Sequence, residues 1–241
     1  MKRTMNLTAL AGLVAVAAFA PVAQAGIVVP PPGETGSYRI AFVTSVDPDT
    51  DSVAANMTSL NAWVSGLAVA SGLDAATIAE TGAGSPGWTV VGATSTVDVF
   101  TNTGLAATGG VPVYYADGVQ FATDYANMWA LGAVDPFTTN EFGESTPSGT
   151  GTWNHTGLAT SAGLPITAVG NELDSAAISM GGKDAGYGSW YGTGANTWAG
   201  GIDNGSLIAI SGVITAIPEP GSMSLLALGG LGILFRRRRR N

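Results

Sequence analysis

Seven of the nine Lys and Arg residues of this 241-residue chain lie in its first three or last six positions, each group beside a short apolar run. Lys2 and Arg3 precede Leu7 to Val22, which is mostly Leu, Ala and Val, and Arg236, Arg237, Arg238, Arg239 and Arg240 follow Met223 to Phe235. Cations flanking an apolar stretch are the mark of segments read by export and membrane machinery, so neither end is expected to join a water-soluble fold. Folding is left to roughly Gly26 to Ile217, a length that suits one domain. Ala23-Gln24-Ala25 offers small residues where a signal peptidase probes, which places the cut before Gly26. The run ahead of it is too short, and too interrupted by Pro21, for a stable membrane span. A buried N-terminal helix, the alternative, leaves the charged start and the A-x-A end unexplained.

At the other end Pro218-Glu219-Pro220 is followed by Gly221 and Ser222, the apolar run and the five arginines. The apolar run can enter a bilayer while the arginines hold its end on the cytoplasmic side. Gly221 to Phe235 is fifteen residues, about 22 Å of helix against about 30 Å of hydrocarbon, which suits a transient anchor. Tripeptide, short helix and arginine cluster in this order closely resemble the PEP-CTERM sorting signal. The resemblance implies recognition by a membrane protease of the exosortase type, cleavage near Pro218-Glu219-Pro220, and delivery to the surface or matrix of bacteria that commonly make exopolysaccharide. An uncleaved tail anchor is the alternative. The expected division is a signal peptide over 1–25, a proline-rich leader over 26–37, an extracellular domain over 38–217 and a sorting tail over 218–241. Within that tail, 221–235 is the short transmembrane segment.

With the ends removed, Arg39 and Lys183 are the cations that remain, against sixteen of the seventeen acids. Such a balance excludes nucleic acid as a partner, since phosphate binding needs Lys and Arg. It favours solubility, repulsion between copies and cation binding, or simply a solvated acidic surface. Cysteine is absent, which excludes disulfides, thiol chemistry and iron–sulfur clusters, so the core or bound cations must hold the fold.

Tyr38 to Thr44 alternates and is β-rich, predicting a strand. Ser45 to Ser52 reads as a loop ending in helix-capping residues. Val53, Met57, Leu60, Val64 and Leu67 then recur at helical spacing, with Trp63 expected in the core and Gly72 as the stop. A short second helix is expected over Asp74 to Glu80. Trp88 to Val91, Val97 to Phe100, Val111 to Tyr115 and Val119 to Phe121 read as short strands, and Tyr125 to Ala130 as a brief helical turn. Asp135 to Gly151 is turn-rich, Gly181 to Gly205 is dense in glycine and aromatics, and Ser206 to Ile217 is a closing strand expected to pair with the first. These elements predict an α+β domain rich in loops.

The order YRIAFVTS, helix, GWTVVGATSTVDVFTNTG, GVPVYYADG, FATDYANMW, TWNHTG and closing strand resembles exported bacterial domains of the C-type-lectin-like or endostatin-like type, over roughly Tyr38 to Ala216. The resemblance implies a ligand site in the long-loop half. The chain departs from that family in lacking cysteines and the Glu-Pro-Asn or Gln-Pro-Asp loop that many sugar-binding members use with calcium.

Residues that could carry chemistry are few. His155 is the sole histidine, in a stretch read as a polar loop, and no serine sits in a Gly-x-Ser-x-Gly elbow. Gly182-Lys183 runs into Asp184, so no phosphate-cradling loop forms. Glu141 and Glu144 are the candidate carboxylate pair for glycoside cleavage, their ordinary role being solvated loop acids. Asp47, Asp49 and Asp51 alternate as at the start of a calcium loop, but Ser52 and Thr58 stand where Gly and Glu are needed, so capping by Asp51 or Ser52 is the reading followed. Glu172, Asp174, Asn196, Asp203 and Asn204 form a second oxygen-rich set around Trp190, Tyr191 and Trp198, suited to calcium or to a sugar stacked on an aromatic ring. Those aromatics can equally be core. The expectation is a non-enzymatic surface or matrix protein that binds exopolysaccharide or another matrix component. It meets signal peptidase and an exosortase-type protease on the way out, with the inner membrane as a transit stop. The alternatives are a structural coat protein without a ligand site, and an exported glycoside-cleaving enzyme.

Overall fold

The computed structural model describes residues 26–48, 56–130, 137–145, 153–156, 158–161, 164–167, 172–175, 178–182, 197–198 and 205–216. Strand β1 (Ser37–Val43) organises the sheet: it pairs in parallel with β3 (Val113–Tyr115) and antiparallel with β10 (Ser206–Ser211) and β11 (Ile214–Thr215). The register Ala41↔Ile210 and Ser37↔Thr215 bears out the expected pairing of first and closing strands. The closing segment is two strands rather than one: between them the Gly212 amide donates to the Gly87 carbonyl at 2.8 Å, and a Cβ on Gly212 would come within 2.2 Å of the Pro86 carbonyl oxygen.

From one end the sheet runs β4 (Gln120–Ala122), β3, β1, β10, β5 (Trp153–His155), β8 (Ile178–Gly182) and β9 (Thr197–Trp198), with β2 (Trp88–Val90) also on β10. β6 (Leu158–Ser161) and β7 (Leu164–Thr167) form a separate hairpin. Parallel and antiparallel pairs with a few helices make this an α+β fold.

The alternation read in Tyr38 to Thr44 is corrected by burial: every residue from Tyr38 to Val43 is buried. Tyr38, Ile40 and Phe42 meet Met57, Leu60, Val64 and Trp88 on one side, while Ala41 and Val43 meet Val113, Tyr115, Met128 and Ile210 on the other. A strand covered on both faces needs apolar residues at both parities.

Helix α1 (Met57–Ala70) buries Met57, Leu60, Val64 and Ala68, spaced three or four apart, as one helical face requires. Its cap differs from the expectation: Asn56 accepts a bond from the Ser59 amide at 3.0 Å, so the helix begins after Val53, which with Asp49, Asp51 and Ser52 lies outside the described residues. Asp47 is exposed. Trp63 and Leu67 are half-buried rather than central. Gly72, at φ +84°, turns the chain by 78° into α2 (Leu73–Thr81).

The run Val97 to Phe100 is not a strand. Asp98 accepts from the Thr101 amide and starts a short helix, α3 (Val99–Thr103); the local capping bond outweighs β propensity. The helical turn expected near Tyr125 is α4 (Tyr125–Trp129), capped by Asp124.

Candidate functional site

The two ends of the described chain are where the geometry bears on processing. Ala216 is buried and donates its amide to the Gly36 carbonyl at 3.1 Å, beside the Ser37↔Thr215 pair. Only Ile217 separates this anchored residue from Pro218, so the fold closes directly ahead of the tripeptide. Pro218, Glu219, Pro220 and the arginines Arg236 to Arg240 lie outside the described residues, as do Ala23 and Ala25.

At the other end Gly26 and Gly143 cross with almost no space between them. A Cβ on Gly143 would come within 2.1 Å of the Gly26 carbonyl oxygen, and one on Gly26 within 2.4 Å of that of Phe142. Both have left-handed φ, +126° and +74°, which glycine adopts without strain. The Val28 amide donates to the Ala116 carbonyl at 2.8 Å, and Ile27 and Val29 pack on the core. Glu34 accepts from the Tyr114 hydroxyl at 2.8 Å and from the Gly36 amide at 2.7 Å. Burial, reinforced by the bond to Glu34 and by its charge, pushes the Tyr114 hydroxyl up to about 12. Tyr38 is raised too, by burial and then by the charges of Glu80 and Glu34. The proline-rich leader is thus laid against the domain. Sequence reasoning did not anticipate the roles of Glu34 and Gly143; for Gly143 the only signal was a glycine in a polar turn.

Of the oxygen-rich set, Glu172 and Asp174 are described. Glu172 is buried and accepts from the Ser175 hydroxyl at 2.8 Å. Asp174 is exposed and holds Ser95 through its amide at 2.8 Å and its hydroxyl at 2.5 Å. With the Leu173 amide bonded to the Ala93 carbonyl, these contacts fasten 172–175 to 93–95. Trp198 lies on β9, opposite Ile178. Trp190, Tyr191, Asn196, Asp203 and Asn204 lie outside the described residues. Among the described residues no group of three or more His, Asp or Glu side chains is placed to hold a metal ion.

Two candidate catalytic groups sit elsewhere than their sequence context implied. Glu141 is not a solvated loop acid: it is buried and accepts from both the amide and the hydroxyl of Ser45, the former at 2.9 Å. Glu144 is exposed, with Asn140 donating to it at 3.4 Å. His155 is on β5 rather than in a polar loop, fully buried between Leu207 of β10 and Met180 of β8. Gly205 lies against its ring, where a Cβ would come within 2.3 Å. Strand pairing on both sides of Trp153–His155 overrides the polar composition of that stretch.

No curated protein and no solved structure matches the chain, so the lectin-like likeness gains no support there. Residues 216–240 match the PEP-CTERM protein-sorting motif, and the chain therefore carries the tag of an exported protein that an exosortase sorts toward the cell surface.

Proposed function

We propose that the chain is a non-enzymatic binding module of the bacterial surface or extracellular matrix, released by cleavage near Pro218-Glu219-Pro220, with a lectin-like core that takes exopolysaccharide. The observation that carries the export half is the sorting motif over 216–240 beginning where the fold closes. The absence of enzymatic turnover is supported by the state of the candidate groups. Glu141 is committed to Ser45, Glu144 is exposed and accepts from Asn140, and His155 is buried between strands. A glycosidase needs two carboxyls facing one another across a sugar. The ligand half is supported by the aromatic-rich stretch Gly181 to Gly205 and by the surplus of acids available to a bridging calcium ion.

A purely structural matrix protein is the second reading, favoured by the use of Glu172 and Asp174 to fasten loops. Co-sedimentation of the released chain with the host's exopolysaccharide, with and without calcium, separates them. Saturable binding is expected, and its loss on chelation implicates the acids between Glu172 and Asn204. Absence of binding in both conditions leaves the structural reading.

A further inference from the structure

Helix α1 has no charge on any side. From Ser52 to Leu73 the chain holds no Asp, Glu, Lys or Arg. The face of α1 opposite its buried residues is nonetheless exposed, at Ala62, Gly66, Val69 and Ala70, with Trp63 and Leu67 half-buried beside it. A surface helix ordinarily turns charged residues outward, and one that lacks them and is rich in apolar residues is ordinarily covered. Among the described residues no single helix is long and apolar enough to cross a membrane, but α1 and α2 together have that composition.

The C-terminal end of α1 lies toward the root of the sorting tail. Asn61 accepts from the Val90 amide, and Val90 pairs with Ala209; Ser65 donates to the Trp88 carbonyl, and Trp88 pairs with Ser211. The helix therefore advances in the same direction as the closing segment, and Ala68 and Leu73 share a core cluster with Ile214 and Ala216. From Ala216 five residues lead to Gly221, where the apolar run begins, a reach of about 17 Å. That run is fifteen residues and α1 is fourteen, about 22 and 21 Å as helices. A run that doubles back along α1 carries Arg236 to Arg240 past Met57, toward the segment where Asp47, Asp49 and Asp51 precede the helix. Opposite charges then meet at the far end.

We infer that, outside a bilayer, the apolar run 221–235 docks antiparallel on the outer face of α1, with its arginines toward the three aspartates. The inference goes beyond ligand binding and holds whether or not the domain takes a polysaccharide. A second copy is disfavoured as the cover by the like charge of two acidic domains. A lipid surface is disfavoured because neither α1 nor α2 has a Lys or Arg to meet headgroups. Cleavage near Pro218-Glu219-Pro220 then uncovers α1 in the released protein.

The chain has no cysteine, so engineered pairs report proximity without background. The full chain, made without export and kept dilute and free of detergent, carries Ala62→Cys with Leu228→Cys, Gly229→Cys, Gly230→Cys or Leu231→Cys. These four positions span one helical turn, level with Ala62 in the antiparallel register. At least one pair should form an intramolecular disulfide at about tenfold the yield of the same tail substitution paired with Val69→Cys, because a tether favours only contacts whose geometry matches. Gly66→Lys, where a Cβ meets nothing within 4 Å, should cut that yield by about tenfold with far-UV circular dichroism unchanged, since docking would bury its charge. Equal yields with Ala62→Cys and Val69→Cys overturn the inference. Disulfides formed only between chains overturn it in favour of a second copy. An Ala62→Cys thiol shielded from maleimide only once phosphatidylcholine vesicles are added, with no link to the tail, overturns it in favour of a lipid contact.

Discussion

Arg39 shows how a single residue can serve an acidic domain without an acidic partner. Its side chain is buried, donating to the Tyr125 hydroxyl at 2.8 Å and to the Thr103 and Ser211 carbonyls at 2.9 and 2.8 Å, with the guanidinium over the Tyr125 ring. Bonds from a charged donor to carbonyls closed off from water are among the stronger ones, and the planar fork reaches several at once. Arg39→Ala is expected to cost about 3 kcal/mol or more in urea unfolding, with Arg39→Lys recovering only part. Tyr114 sets an alkaline limit. Its hydroxyl is raised from 10.0 to about 12 in the folded state, so folding holds its proton more tightly than the unfolded chain does. That contribution is complete below about pH 10 and is lost as the pH rises toward about 12. Stability measured across that window should fall, and Tyr114→Phe should flatten the fall, Tyr38 supplying what slope remains.

Among the elements, β2 illustrates how an edge is closed without another strand. Val90 pairs with Ala209 on one side. On its other side its amide donates to Asn61 at 2.8 Å and its carbonyl accepts from Asn102 at 2.8 Å, while the two asparagines bond each other at 2.7 Å. Two amide side chains, one from α1 and one from α3, thus stand in for a strand and blunt an edge open to pairing with another chain. Asn102→Ala should cost about 1–3 kcal/mol by leaving the Val90 carbonyl and Asn61 short of partners, and Asn102→Asp should not restore it, because a carboxylate cannot donate. Thermal unfolding of both variants checks this. The asparagines were not recognisable beforehand, since their spacing carries no motif and their meeting depends on how α1 and α3 flank β2.

At the scale of the whole molecule, the sorting tail and the fold meet at Ala216, one residue ahead of Pro218. Replacing Pro218, Glu219 and Pro220 with alanine should hold the chain in the inner membrane as an uncut form, visible by fractionation and mass. Release at normal mass would refute processing at that site. The sequence alone established the sorting tail, the acidic balance, the apolar face of α1 and the apolar strands that became β1 and β10. Each is a local pattern, a charge beside an apolar run or a fixed spacing, and such patterns are written in neighbouring residues. Only the tertiary structure decided that β1 is covered on both faces, that Glu141 and His155 are buried, that Asp98 begins a helix, and that residues 26–36 are seated on the domain. Those outcomes depend on contacts between residues far apart in the chain, such as Gly26 with Gly143 and Ser45 with Glu141. No local pattern encodes which distant backbone will arrive to bury a carboxylate or require the absence of a side chain.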